Sequence, residues 1–186
     1  MKKRVLITGG AGYIGSILSR FLLAKGYKVR VLDLLLFGKR GLEGLEVEFF
    51  LGDVRNVSRE VLDDVDAVIH LAAFSNDPMA EFNPKVNFEI NTFGTLKLAN
   101  ECKKKGIKRF IFASSASIYD GCKGVRALDE TSKVKPKAPY SLSKFQAEKG
   151  LLRLADGAFS PVILRKGTVH GFSPRMRYDL VLNTFV

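Results

Sequence analysis

At 186 residues, 46% apolar and 26% charged, the sequence fits one globular domain of ordinary size with room for a real core. No apolar run approaches a membrane span, and a glycine turn interrupts the basic start Met1-Lys2-Lys3-Arg4 too soon for a signal peptide, so a cytosolic (cytoplasmic) setting is expected. The net charge of +11 raises nucleic acid as a partner, but the basic residues are scattered, the dense run Lys103 to Lys105 ends an expected helix, and no aromatic-interleaved basic motif occurs, so nucleic acid is not expected.

Lys3 to Ile7 is a short β-rich run, and from Ile14 the apolar residues Ile14, Ile17, Leu18, Phe21 and Leu22 recur at helical spacing. Between them lies Thr8-Gly9-Gly10-Ala11-Gly12-Tyr13-Ile14-Gly15, a strand-to-helix turn. A helix start presents unpaired N–H groups and the positive end of its dipole, which favour a phosphate. Gly9 can take the sharp turn, Gly12 lets a pyrophosphate approach the backbone, and Gly15 lets the helix lie close to the sheet. A glycine turn can also be purely structural, so a second feature is needed.

Asp33 supplies it, at the end of a second strand read from Tyr27 to Leu32. A carboxylate there can accept both hydroxyls of an adenosine ribose and repels a 2′-phosphate, which favours NAD over NADP. Arg40 nearby leaves NADP as the alternative.

Val47 to Leu51 reads as a third strand ending in Gly52-Asp53-Val54. Asp53 can bond the adenine amino group with Val54 against the ring, or cap a short helix from Val57 to Leu62, or do both. Asp66 to His70 is a fourth strand, followed by Leu71-Ala72-Ala73, small enough for a cofactor to pass close by. His70 on a buried strand is expected to be a packed, locally bonded residue rather than a base.

Pro84 opens a long helix to about Lys105 whose apolar residues are spread too widely for one stripe, as if two sides were covered. Cys102 falls on it as a small apolar filler, and with Cys122 makes neither a disulfide framework nor a metal site. Arg109 to Ser114 is a fifth strand, Tyr140 to about Ala155 a helix, and Val162 to Arg165 a sixth strand. Strands alternating with helices predict an α/β, doubly wound parallel sheet with helices on both faces and ligands at the strands' carboxyl ends.

Tyr140 and Lys144, four apart, share a helical face. A phenol with a pKa near 10 is a poor base at neutral pH unless a cation such as Lys144 favours the phenolate. Alone, this spacing arises often by chance. Ser114-Ser115-Ala116-Ser117, ending the fifth strand, adds hydroxyls able to hold a substrate oxygen during proton transfer.

Taken together, these segments resemble the extended short-chain dehydrogenase/reductases of the NAD-dependent epimerase/dehydratase type, such as nucleotide-sugar 4-epimerases. The resemblance continues through Asn91-Thr92-Phe93-Gly94-Thr95, Ser115-Ala116-Ser117-Ile118-Tyr119 and Leu164 to Gly171, in family order. It implies a Rossmann-type domain over residues 1–172 and the start of a C-terminal substrate lobe over 173–186. Tyr140 becomes the base, Lys144 its electrostatic partner and ribose ligand, and Ser115 the hydroxyl that orients the sugar. Asn91 matches an asparagine on the nicotinamide side, with a helix-supporting or water-holding role as the plainer alternative. Cofactor contacts are implied for Gly9, Gly12, Tyr13, Ile14, Gly15, Asp33, Asp53, Val54, Leu71, Ala72, Ala73, Asn91, Tyr140 and Lys144, with NAD as cofactor, no metal, and a nucleotide sugar as substrate.

Three departures shape the expectation. The related 4,6-dehydratases carry an Asp-Glu pair where this sequence has Ala116 and Ser117, which disfavours that reaction. Thr168 and Asp120 replace a common asparagine and glycine, leaving the sugar open. The sequence also stops within an expected helix, Tyr178 to Val186, either because it is a fragment or because it is a short protein whose Phe185 and Val186 need a partner. A non-catalytic NAD-binding or redox-sensing module is the competing reading. A homodimer through the Pro84 and Tyr140 helices is implied by the resemblance.

Overall fold

The computed structural model describes residues 2–122, 124 and 127–185. Its centre is a six-stranded, wholly parallel sheet: β1 (Arg4–Thr8), β2 (Lys28–Asp33), β3 (Glu48–Leu51), β4 (Ala67–His70), β5 (Arg109–Ser115) and β6 (Ser160–Lys166). The spatial order β3-β2-β1-β4-β5-β6 reverses direction between β1 and β4. That reversal leaves a crevice above the carboxyl ends of the strands, the place where open α/β sheets bind ligands.

The helices are α1 (Tyr13–Ala24), α2 (Asp77–Phe82), α3 (Pro84–Phe88), α4 (Thr95–Lys104), α5 (Pro139–Leu154) and α6 (Val181–Thr184). Side chains of β1 alternate between two cores, as a pleated strand requires. Val5 and Ile7 join Val29, Val31, Leu18 and Leu22 beneath α1, while Leu6 joins Val68, Phe110, Leu98 and Leu151 beneath α4 and α5. Helices therefore cover both faces, and the fold is the expected Rossmann type.

Several elements differ from the sequence expectation. The segment Val57 to Leu62 is not an α-helix: it holds one short 3₁₀ turn, Arg59–Leu62, and a second, Val54–Asn56, precedes it. The long helix from Pro84 is interrupted by a π-helical stretch, Glu89–Gly94, between α3 and α4. Asn91 lies within it, and its buried amide is engaged on several sides, which fixes a backbone register that an unbroken α-helix does not have. Helix α2 was not expected, although Asn76, whose side chain accepts from Met79 N at 3.0 Å, and Pro78 are its cap and first-turn signals. The expected final helix is helical only over Val181–Thr184; Phe185 is exposed, and Val186 lies outside the described residues. Phe93 and Leu152, on the two helices expected to pair with a second copy, are exposed. Among the described residues no helix is long and apolar enough to cross a membrane.

Candidate active site

A cavity of about 920 Å³ runs along the crevice. One end is built by backbone. Gly9 has φ +74°, the left-handed region, and a Cβ there would stand 2.7 Å from Ala72 N. A Cβ on Gly15 would lie 2.6 Å from Gly10 Cα and closer still to Gly9 O, so glycine lets the first turn of α1 sit directly on the loop. Gly12 meets only Gly9 O, at 3.2 Å, so its smallness matters more to the cavity it lines than to packing.

Asp33, ending β2, accepts from Ala11 N at 3.0 Å and from Leu35 N at 2.8 Å. Those bonds hold the carboxylate at the cavity while leaving lone pairs for hydroxyls. Asp53 lines the cavity and also caps its turn, accepting from Arg55 N at 2.8 Å, so the two roles read for it are compatible. Burial pushes its carboxyl up, but the Arg55 hydrogen bonds and charge outweigh that and hold it below the usual range. Val54, Leu71, Ala72, Ala73, Tyr13 and Ile14 also border the cavity. The Tyr13 hydroxyl, however, is occupied, donating to Gly171 O at 2.6 Å, so only the rest of Tyr13 is available to a ligand.

The other end is built by side chains from β5 and α5. Ser115 borders the cavity, and its Oγ accepts from Ser117 N at 3.1 Å and Ser117 Oγ at 2.9 Å. Its neighbour Ser114 points the opposite way, donating to the buried Glu148. Tyr140 and Lys144 line the same cavity. The Lys144 ammonium donates to Ala113 O at 3.0 Å and lies 5.9 Å from the centre of the Tyr140 ring.

The electrostatics differ from the sequence expectation. Burial raises the Tyr140 phenol, opposed by the Ser115 hydroxyl and the charge of Arg177, with Asp77 adding to the rise. Lys144 is pushed down to about 7 by burial and then by Lys166, against the pull of Glu148. The cation that the spacing provides is thus itself held near neutrality.

Asn91 does not border the cavity. Its amide accepts from Phe74 N at 2.9 Å and donates to Phe74 O at 3.0 Å, Asn87 Oδ1 at 2.8 Å and Ser143 Oγ at 3.2 Å. Direct contact with cofactor or substrate is therefore corrected to the plainer alternative: Asn91 ties the loop after β4 to the helix bearing Tyr140. His70 bridges Thr8 Oγ1 at 2.6 Å and Thr95 Oγ1 at 2.8 Å, is fully buried, and is held at about 3, chiefly by burial with Lys144 adding to it. It is a packed, bonded residue.

Three features escaped the sequence reading. Glu148, one turn beyond Lys144, is buried and takes the Arg165 guanidinium at 2.8 Å, while Arg165 donates to Tyr119 at 2.7 Å. An acid four residues after Lys144 on a buried helical face was the available signal. Asp120 accepts from Ser141 Oγ at 2.8 Å and Lys137 N at 3.0 Å, tethering the start of α5. Arg175, Arg177 and Asp77 also line the cavity; nothing in local pattern brings residues so distant in sequence together.

Fold and site together define a Rossmann-type domain with a serine, a tyrosine and a lysine gathered at one end of a glycine-turn crevice. The model of the NAD dependent epimerase/dehydratase family matches residues 5–185. The chain belongs to that family. It is similar to the UDP-glucose 4-epimerase of Lacticaseibacillus casei, 36% identical over 176 residues, covering 91% of this chain and 53% of that protein. Among solved structures it resembles the Thermus thermophilus UDP-glucose 4-epimerase in complex with NAD, with a TM-score of 0.79, 35% identity, and coverage of 87% and 54% of the two chains. It also resembles TunA, an NAD dependent NDP-hexosamine 5,6-dehydratase, with a TM-score of 0.87, 30% identity, and coverage of 98% and 60%. The chain spans about half the length of the curated relatives it matches, as the 53% figure illustrates.

Proposed function

We propose that this chain carries the NAD site and the reacting groups of a nucleotide-sugar epimerase. The observation that carries the proposal is one cavity bordered at one end by the Gly9–Gly15 turn and Asp33 and at the other by Ser115, Tyr140 and Lys144. The fit to a dinucleotide rests on the same place: Gly12 borders the cavity where a Cβ would meet only Gly9 O, and Asp33 is oriented by two backbone N–H groups.

NAD, when bound, supplies the hydride acceptor and donor. Tyr140 takes the proton of the sugar hydroxyl being oxidised and returns it when the hydroxyl re-forms. Ser115 holds the same oxygen, with its two bonds from Ser117 fixing its position. Lys144 stabilises the phenolate once the negative charge of a nucleotide ligand counters Lys166 and favours the ammonium. Glu148 and Arg165 brace α5 against β6 behind these groups.

Elimination of water is the second reading, supported by the likeness to TunA and by Asp77, whose carboxyl in the cavity is raised by burial and by the charges of Glu81 and Asp120. Product analysis separates the two: an epimer retains the sugar's mass, and elimination loses one water. The two cysteines, both free, suit the cytoplasmic setting that forms part of the proposal.

Incubation of Tyr140→Phe with NAD and UDP-sugars tests the mechanism. Turnover is expected to fall by about a thousandfold or more while NAD affinity holds. Wild-type turnover in that variant sinks Tyr140 as the base.

A further inference from the structure

After β6 the chain folds back over the first turn of α1. Ser173 is buried, donates to Tyr13 O at 2.8 Å and lies 2.9 Å from Ser16 Oγ. Asn183, also buried, accepts from Gly171 N at 2.9 Å and donates to Arg177 O at 3.0 Å and to the Tyr13 hydroxyl at 3.1 Å. Residues 171–183 therefore form a strap pinned at both ends around Tyr13, next to the glycine turn.

Between the pins, two arginines line the cavity. Arg177 has its counter-charge, the Asp179 carboxylate, which Asn76 Nδ2 also holds at 3.1 Å. Arg175 differs. Its guanidinium lies 3.8 Å from the centre of the Phe37 ring, donates only to Met176 O at 3.2 Å, and among the described residues forms no ion pair with a carboxylate. Phe37, 60% exposed, stands in the loop just after Asp33 and borders the same cavity. A partly buried, stacked guanidinium without a carboxylate partner, facing a cavity floored by a helix start, is suited to a phosphate.

We propose that Arg175, steadied on Phe37, binds the diphosphate of the dinucleotide from the side opposite the glycine turn, making the strap part of the cofactor site. The proposal rests on the NAD reading above. On it, Asp33 engages the ribose and Arg175 the phosphates, and Phe37 keeps the guanidinium flat without adding charge.

Titration calorimetry of the 186-residue chain with NAD, ADP-ribose, adenosine, UDP and NADP tests it. Arg175→Met is expected to weaken NAD and ADP-ribose by roughly tenfold or more while adenosine binding holds. Phe37→Ser, a change at an exposed ring, is expected to give a smaller loss with the same ligand pattern, and thermal melts of both variants report that they fold. Unchanged NAD affinity in Arg175→Met overturns the proposal and leaves the NAD reading intact. An equal loss for adenosine, a loss confined to UDP, or a loss confined to NADP overturns it by moving Arg175 to the nucleoside, the substrate or a 2′-phosphate. No NAD binding by the unaltered chain overturns both.

Discussion

The two ends of the cavity are made in different ways. At the glycine turn the working parts are backbone atoms and an absence of Cβ atoms, and their electrostatics come from the peptide dipoles of α1. At the Tyr140 end the working parts are side chains whose protonation is set by burial and by groups from five segments: Ser115 on β5, Lys144 and Glu148 on α5, Lys166 on β6, Asp77 on α2, and Arg177 on the strap. The first end is rigid because its tolerances are steric. The second is tunable, because the same residues change charge when a neighbour moves or an anion arrives.

The largest effect that sharpens this contrast is expected at Gly15. In Gly15→Ala the new Cβ would meet backbone at Gly10 and Gly9, which cannot swing aside as a side chain can. Unfolding free energy is expected to fall by about 3 kcal/mol, with NAD binding lost as the turn is displaced. A variant that binds NAD normally and unfolds at the wild-type urea midpoint breaks the claim that sterics rule this end.

Lys144→Met probes the opposite end, and the expected sign is reversed. Folding carries Lys144 from its ordinary value to about 7, mainly by burial. Between those values the unfolded chain holds the proton that the folded chain sheds, so wild-type stability rises as pH rises from 7 toward 10.5. Removing the amine is expected to stabilise the chain by about 2 kcal/mol at neutral pH, a gain that shrinks as the medium becomes alkaline. Urea midpoints of both proteins across that range check it. A destabilised variant with the same pH slope as wild type shows that Lys144 is not the buried, strained cation described here.

The contrast also explains what could be read before the structure. The glycine turn, Asp33 and the alternation of strands and helices are local: each signal lies within one turn or one strand, so the sheet and the phosphate end were legible. Tyr140 and Lys144 were legible from their spacing of four, and Ser115 and the grouping of the three came only through the resemblance to the family. The state of those groups was not legible, because it depends first on their burial and then on Lys166 and Arg177, and both come only through folding. Asn91 shows the limit most plainly. Its place on the helix was foreseen, but the partners of its amide, Phe74, Asn87 and Ser143, come from other turns and elements that only the fold brings together.

His70 stands between the two ends and offers the smallest effect. Its ring joins Thr8, the last residue before the glycine turn, to Thr95 at the start of α4. Protonation forces both ring nitrogens to donate at a fully buried site where the charge is poorly solvated, and Lys144 adds repulsion, so the folded chain resists it down to about 3. The unfolded chain takes the proton near 6.5, so this residue's contribution is intact above that pH and declines as the medium is acidified toward the folded value. The decline is expected at up to about 1.4 kcal/mol per pH unit. Carboxylates titrate in the same range, so the quantity to measure is the difference in urea midpoints between wild type and His70→Gln, whose amide can bridge the two threonines without titrating. If the difference does not change between neutral pH and mild acid, His70 takes up its proton in the fold as readily as in the unfolded chain; if it changes in the opposite sense, His70 is already protonated in the fold, and the link between the rigid and tunable ends carries a charge after all.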